Sequence, residues 1–247
     1  MKTRAAVLYE MGAKKPYKES KPLKIEYLEL DNPSEHEVLI KIHAAGLCHS
    51  DLSVINGNRP RPLPMALGHE ASGEVIKVGK AVTRVSEGDH VVCTFIPSCG
   101  KCIPCKEGRP ALCENGAISN EKGEMLEGGV RLSNDEGKVY HHLGISGFAE
   151  YSVVSENSIV KIDKKIPFER AAAFGCAIIT GIGAVVNTAQ IRSGSNVAVV
   201  GLGGIGLNAI IGAKLAGANE IIALDINEDK FELAKQFGAT ATFNSSD

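Results

Sequence analysis

The sequence predicts an α/β plus β protein: a β-rich, barrel-type domain first, then a βαβαβ unit. Three observations predict it. Short β-forming runs separated by Gly, Pro, Asn and Asp fill the chain to about residue 155. From Pro167 onward, helical patterns alternate with short apolar runs. The hexapeptide GLGGIG, residues 201–206, lies between one such run and a helix.

The β-rich runs are 4–9, 24–30, 37–44, 74–78, 90–95 and 149–154. Turn residues rather than helices join them, so an antiparallel, barrel-like arrangement is the simplest one. Residues 114–147 are rich in Gly, Asn, Ser and charge and are predicted to run over the surface without a site. His141 and His142 lie there with no Cys, Asp or Glu at a supporting spacing, and a structural role is expected for both. Pro167 suits a first helical turn, 169–174 continues it, and Gly175 ends it before a second helical run over 177–190. An apolar run at 197–200, the glycine cluster, a helix over 207–215, a run at 221–224, a charged helix over 228–237 and a run at 239–243 complete the βαβαβ pattern. No internal repeat interrupts it.

Charge and apolar distribution narrow the function. With 27 Lys+Arg against 29 Asp+Glu the net charge is −2, so neither nucleic acid nor an anionic membrane is an expected partner. The longest near-apolar run, 174–186, is shorter than the roughly 18–20 residues of a spanning helix. The apolar stretch 5–9 is too short for a signal peptide's core of about 7–15 residues, so a cytoplasmic location is expected. Seven cysteines cannot all pair within one chain, and a reducing compartment favours metal ligation over disulfides.

Four of them, Cys99, Cys102, Cys105 and Cys113, lie in CGKCIPCKEGRPALC with gaps of two, two and seven residues. Four thiolates so close can surround one ion tetrahedrally and close it to solvent, which describes a structural zinc. An iron–sulfur run of the bacterial type would need a gap of three followed by proline, whereas here the gap is seven and Glu114 follows. A zinc-ribbon nucleic-acid binder would share the cysteines but lacks basic excess and an aromatic platform.

The strand–GLGGIG–helix context makes the glycine loop a dinucleotide-binding fingerprint. Gly201 permits the tight turn, Gly203 a close approach of pyrophosphate to the backbone, and Gly206 close helix–strand packing. The following helix offers unpaired N–H groups and positive partial charge. Asp225, about 20 residues on at the end of the next apolar run, is expected to accept ribose hydroxyls and repel a 2′-phosphate, which predicts NAD over NADP.

Cys93, Cys48 and Cys176 remain. Cys93 lies inside an apolar run and reads as a small buried hydrophobe. Cys48 opens Cys-His-Ser-Asp, His69 stands in Gly-His-Glu, and Cys176 falls at the break between two helices. Two thiolates and an imidazole brought together would hold zinc with one position open, as catalysis requires. Spacing alone does not assemble them, and singly each is also compatible with a core position.

GLCHSD, LGHEASGEV, CGKCIPCKEGRPALC, FGCAIITG and GLGGIG occur in the order and approximate spacing of the zinc-dependent medium-chain alcohol dehydrogenase family, which the chain resembles over its whole length. The resemblance implies a GroES-like catalytic domain over 1–176 with a structural zinc lobe at 95–115, and a partial NAD-binding Rossmann domain over 177–247. It implies a catalytic zinc on Cys48, His69 and Cys176, with Glu70 able to approach the metal during ligand exchange and Asp51 orienting the ligand histidine. Ser50 matches the hydroxyl that receives the substrate proton, His49 a pyrophosphate contact, and Thr180 and Ile205 positions beside the nicotinamide. Gly204 belongs to the glycine loop, Lys230 matches a residue near the adenosine ribose, and Phe95 matches a substrate-pocket wall. Arg59 and Arg61 stand in a proline-rich stretch that forms either the pocket mouth or a solvated loop.

The implied reaction is reversible hydride transfer between a small alcohol or aldehyde and NAD, with zinc polarising the substrate oxygen. Two departures stand out. Ser53 occupies a position where many members carry the outer histidine of the proton relay, so the proton leaves through Ser53, water or the ribose. Only one βαβαβ half follows the catalytic domain, so the chain is expected to be C-terminally truncated relative to the family pattern. A catalytically silent zinc-binding fragment is therefore the alternative reading. Homo-oligomers are implied for full-length relatives, and for this chain the oligomeric state stays open.

Overall fold

A computed structural model describes residues 1–246. The chain divides into two compact units, Met1–Gly175 and Cys176–Asp247.

The strands of the first unit are β1 (Lys2–Leu8), β2 (Leu23–Leu30), β3 (Glu37–Gly46), β4 (Met65–Ala66), β5 (Glu70–Val78), β6 (His90–Cys93), β7 (Leu132–Asn134), β8 (Gly137–His141), β9 (Tyr151–Ser155) and β10 (Ile159–Ile162). β1, β2, β7, β8 and β4 close a barrel, and β10, β6, β5, β3 and β9 form an antiparallel sheet in that order. The barrel departs from purely antiparallel pairing where β4 meets β8, which runs parallel to it. Alternation fills both cores: Val7, Leu28, Leu39, Leu132 and Val153 in one cluster, Val38, Ile40, Val75, Val91 and Val154 in the other. The β3–β5 register ends with Gly46 opposite Glu70, which brings the stretch after β3 alongside the stretch before β5.

Residues 114–147 are not a surface excursion. They form the helix Glu114–Lys122 and strands β7 and β8, and Met125, Leu132, Val139, His141 and His142 are fully buried. Their polar composition misleads because the buried positions of the helix are Gly116, Ser119 and Asn120, while a strand of three residues is too short to show alternation. The helix His49–Ile55 was equally illegible, since its N-cap is Cys48 rather than Ser, Thr, Asp or Asn. Pro167 is the N-cap of Phe168–Ala171 rather than a residue of its first turn, and a 3-10 turn carries the chain on to Gly175.

The second unit is a parallel sheet of β11 (Asn196–Val200), β12 (Glu220–Asp225) and β13 (Ala241–Asn244), in that order. The helices Ala177–Gly183, Gly204–Leu215 and Phe231–Phe237 accompany it. Val199, Ile210, Ala213, Ile221, Ala223 and Ala234 form its core. Among the described residues no single helix is long and apolar enough to cross a membrane.

A buried polar network ties this segment, whose strands belong to the barrel, to β3 of the antiparallel sheet. Arg131 grips the fully buried Glu37 with two donors at 2.8 and 2.6 Å. Its backbone N–H donates to His141 Nε2 at 3.0 Å, and His141 Nδ1 lies 3.1 Å from Ser146 Oγ. Burial, reinforced by the Arg131 charge, pushes His141 from 6.5 down to about 3. The folded state therefore holds His141 neutral while the unfolded chain protonates it. The stability this contributes is complete above pH 6.5 and is lost as pH falls toward 3. Urea unfolding below pH 6.5 is expected to show a loss of stability that steepens to about 1.4 kcal/mol per pH unit near pH 5 and that His141→Gln removes. An unchanged slope in the variant would contradict this account.

Candidate metal centres and nucleotide loop

The Cys48 sulfur accepts the Ser50 N–H at 3.5 Å, and Asp51 Oδ2 accepts the Cys48 N–H at 3.2 Å, a reciprocal capping box. The other carboxylate oxygen of Asp51 reaches across to the turn that leads into β5. It accepts the Gly68 N–H at 3.0 Å, faces His69 Nδ1 at 3.3 Å, and lies 2.9 Å from His142 Nδ1. The His142 contact is close without hydrogen-bond alignment. Sequence reasoning missed it, because nothing local connects residue 142 to residue 51.

Cys176 is located through its neighbour. A Cβ on Gly175 would stand 2.1 Å from the Cys93 carbonyl oxygen, so only glycine lets the chain pass this close to the end of β6. Cys176 is the next residue. Cys48, His69, Glu70 and Cys176 each offer a ligand atom within 4.8 Å of all the others. Cys93 itself is buried, and desolvation pushes its thiol up to about 12. Phe95 stands edge-on to His69, ring centroids 6.2 Å apart.

The electrostatics of this cluster suit a cation. Burial would lower the pKa of His69, but hydrogen bonds to Asp51 and Cys48 outweigh it and push the imidazole up to about 9. Burial opposes ionisation of Asp51 as well, yet His142 and His69 hold its carboxyl well below the usual carboxylate range. His69 is thus a site where positive charge is already stabilised. A dication between sulfur and imidazole would take the place of that proton, and two thiolates with one imidazole match zinc with an open position. His49 and Ser50 lie in the first turn of the helix, and Ser53 Oγ stands 3.3 Å from His49 Nδ1 on its exposed side.

Cys99, Cys102, Cys105 and Cys113 form a second group within 4.8 Å, and none of these four is in a disulfide. The Cys102 and Cys113 sulfurs are 3.9 Å apart, close to the edge of about 3.8 Å of a tetrahedron with bonds of about 2.3 Å. The Lys101 N–H, aided by Cys102 and Asn115, holds Cys99 down to about 6, whereas desolvation and neighbouring sulfurs push Cys105 up to about 12. Four crowded thiols resist joint ionisation, and a central dication removes that resistance.

In the second unit Gly201 has φ +90, and a Cβ on Gly206 would stand 1.8 Å from the Gly201 carbonyl oxygen. Nothing lies within 4 Å of a Cβ built on Gly203, which leaves its backbone open to a ligand. Gly204 begins the helix, and Ile205 is half-exposed in its first turn. Thr180 lies in Ala177–Gly183 with its N–H on the Cys176 carbonyl at 2.9 Å. Asp225 is more engaged than the fingerprint alone indicates. Its Oδ2 accepts the Leu202 N–H at 2.6 Å, and Lys230 Nζ contacts its two oxygens at 3.1 and 2.9 Å. Backbone donors from Leu202 and Asn227, then Lys230, hold this carboxyl down to about 2, so it is charged at any physiological pH.

Residues 34–164 match the family model described as alcohol dehydrogenase GroES-like domain, more than half of the chain, and 204–247 match zinc-binding dehydrogenase. The chain belongs to the zinc-dependent medium-chain alcohol dehydrogenase family. Over 248 aligned residues it is 45% identical to S-(hydroxymethyl)glutathione dehydrogenase of Synechocystis sp. (strain ATCC 27184 / PCC 6803 / Kazusa), covering 100% of this chain and 65% of that one. It is 47% identical to alcohol dehydrogenase class-3 of Drosophila melanogaster, over 92% of this chain and 60% of that one. Benzyl alcohol dehydrogenase from Acinetobacter calcoaceticus superposes with a TM-score of 0.89 at 39% identity, over 99% of this chain and 64% of that structure. The chain therefore spans 60–65% of the length of these two curated relatives.

For this dehydrogenase-family chain the two cysteine-containing groups predict two zinc ions per molecule. Cys105→Ser is expected to remove one and expose 99–113 to protease, and Cys48→Ser to remove the other while the lobe stays resistant. Metal analysis by plasma mass spectrometry with limited proteolysis checks this. Loss of both ions from either variant would show that the centres are not independent.

Proposed function

We propose that this chain carries the machinery of a zinc-dependent alcohol dehydrogenase, transferring hydride reversibly between an alcohol or aldehyde and NAD. The observation that carries the reading is the convergence of the Cys48, His69 and Cys176 ligand atoms within 4.8 Å, with the Glu70 carboxylate beside them. Bound zinc supplies Lewis acidity at the substrate oxygen, and bound NAD supplies the hydride acceptor.

The residues do the rest. Asp51 takes the His69 Nδ1 proton as its hydrogen-bond partner, which leaves Nε2 as the ligand nitrogen. His69, Glu70 and Cys176 are almost fully excluded from water, which strengthens every charge contact among them. Ser50 accepts the proton of the substrate hydroxyl at Oγ and passes its own outward. Ser53 and His49, in contact at 3.3 Å on the exposed side of the helix, provide a route to solvent where many relatives use a histidine. Gly201, Gly203 and Gly204 leave the backbone open to the pyrophosphate at the N-terminus of Gly204–Leu215, and Gly206 lets that helix pack closely against Gly201. Asp225, with Lys230 beside it, meets the adenosine ribose, and its fixed negative charge disfavours a 2′-phosphate. Thr180 and Ile205 flank the nicotinamide, and Phe95 lines the substrate side. Thiolate centres of this kind suit a reducing compartment such as the cytoplasm.

The zinc-loaded chain, supplied with NAD and either benzyl alcohol or S-(hydroxymethyl)glutathione, is expected to form NADH. Cys48→Ala and Cys176→Ala should each abolish that signal, and Asp225→Ser should reduce the preference for NAD over NADP by about tenfold or more. Two bound zinc ions without any NADH across a panel of alcohols would instead support the silent zinc-binding reading.

A further inference from the structure

His142 is a buried titratable group that the reaction described above leaves unused. Its ring is 1% exposed and stands perpendicular to His69, the centroids 5.2 Å apart. Phe95 meets the same imidazole at 82°, so two rings pack edge-on against His69. The His142 backbone is pinned: its N–H donates to Ala66 at 3.2 Å, and its carbonyl accepts the N–H groups of Ile145 and Ser146 at 3.1 and 3.3 Å. Ala66 ends β4, three residues before His69, so the two histidines are referenced to one piece of backbone.

Packing alone does not account for a histidine here. Neither ring nitrogen makes an aligned hydrogen bond among the described residues, and a buried polar atom without one is costly. An apolar ring would fill the space without that cost. What the imidazole adds is an Nδ1 only 2.9 Å from Asp51 Oδ1, the oxygen that also faces His69.

We propose that His142 is a positioning residue of the metal centre: through the Asp51 carboxylate and its edge-on packing it fixes the orientation in which His69 presents its ligand nitrogen. The role rests on reading Cys48, His69 and Cys176 as a zinc site. A carboxylate held from a second side cannot follow His69 if that ring rotates, so the imidazole keeps one tautomer and one angle. Removing the polar contact while keeping the ring loosens the ligand without emptying the space.

The test uses the full chain in three forms: wild type, His142→Phe, which keeps a ring, and His142→Asn, which keeps a short side-chain donor. Zinc release to a chelator gives affinity and stoichiometry, Cys48→Ala marks which ion belongs to the His69 centre, and cobalt substitution reads its ligand field. In His142→Phe the ion of that centre is expected to bind about 10–100-fold more weakly with altered cobalt bands, the four-cysteine ion to be unaffected, and His142→Asn to recover much of the loss. Two ions held as in wild type by His142→Phe, with identical cobalt bands, overturn the proposal alone. A wild-type chain with zinc only on the four cysteines overturns the reading of the centre and the proposal with it. A third ion that disappears with His142 also overturns it, by making Asp51, His69 and His142 ligands themselves. Should His142→Phe fail to fold, nitrogen NMR of the zinc-loaded wild type decides: a protonated Nδ1 on His142 supports the role, and an unprotonated one overturns it.

Discussion

Four N–H groups or ring nitrogens from three separate stretches of chain converge on the Asp51 carboxylate: Cys48 and His69 from the motif residues, Gly68 beside the latter, and His142 from far downstream. A carboxylate has about four acceptor positions, so this one group serves the start of a helix, the turn into β5 and the His69 imidazole at once, with the His142 ring in close contact. Such a charge is tolerated in the interior because it is surrounded by donors, and its burial in turn makes each contact stronger than it would be in water. The orientation of His69, and with it the geometry of any ion on Cys48 and Cys176, follows from that arrangement.

The same economy recurs elsewhere. Asp225 accepts the Leu202 N–H inside the glycine loop and also pairs with Lys230, so this acid braces the loop from the end of the next strand. In the four-cysteine cluster the backbone N–H groups of Cys99 and Cys102 point at the sulfurs of Cys113 and Cys99, which prepares negative charge where an ion would sit. Close backbone passages complete the scaffold. Gly175 against the Cys93 carbonyl and Gly206 against that of Gly201 are places where any side chain would push two functional segments apart.

Much of this architecture was legible beforehand. The runs that became β1, β2, β3 and β6 were bounded to within a few residues, because each is rich in β-forming residues and lies between turn-forming stretches. The βαβαβ order was legible for the same reason, and the four cysteines were legible because their ligand geometry is local. The helix over His49–Ile55 was hidden by its unusual cysteine cap, and 114–147 by a polar composition that conceals a buried face. His142 was hidden most completely. Its partner Asp51 is remote in sequence, and a histidine pair without nearby ligands carries no periodicity to read.

By itself the sequence determined the residue types: one local cluster of four cysteines, a glycine loop after an apolar run, an acid at the end of the next one. Those depend on covalent spacing and on periodicities of two and 3.6, which are properties of neighbouring residues. Tertiary structure alone decided that Cys48, His69, Glu70 and Cys176 share one point in space and that a second histidine leans on Asp51. The β3–β5 register and the passage of Gly175 along β6 make those decisions, and both are long-range contacts that no local pattern encodes.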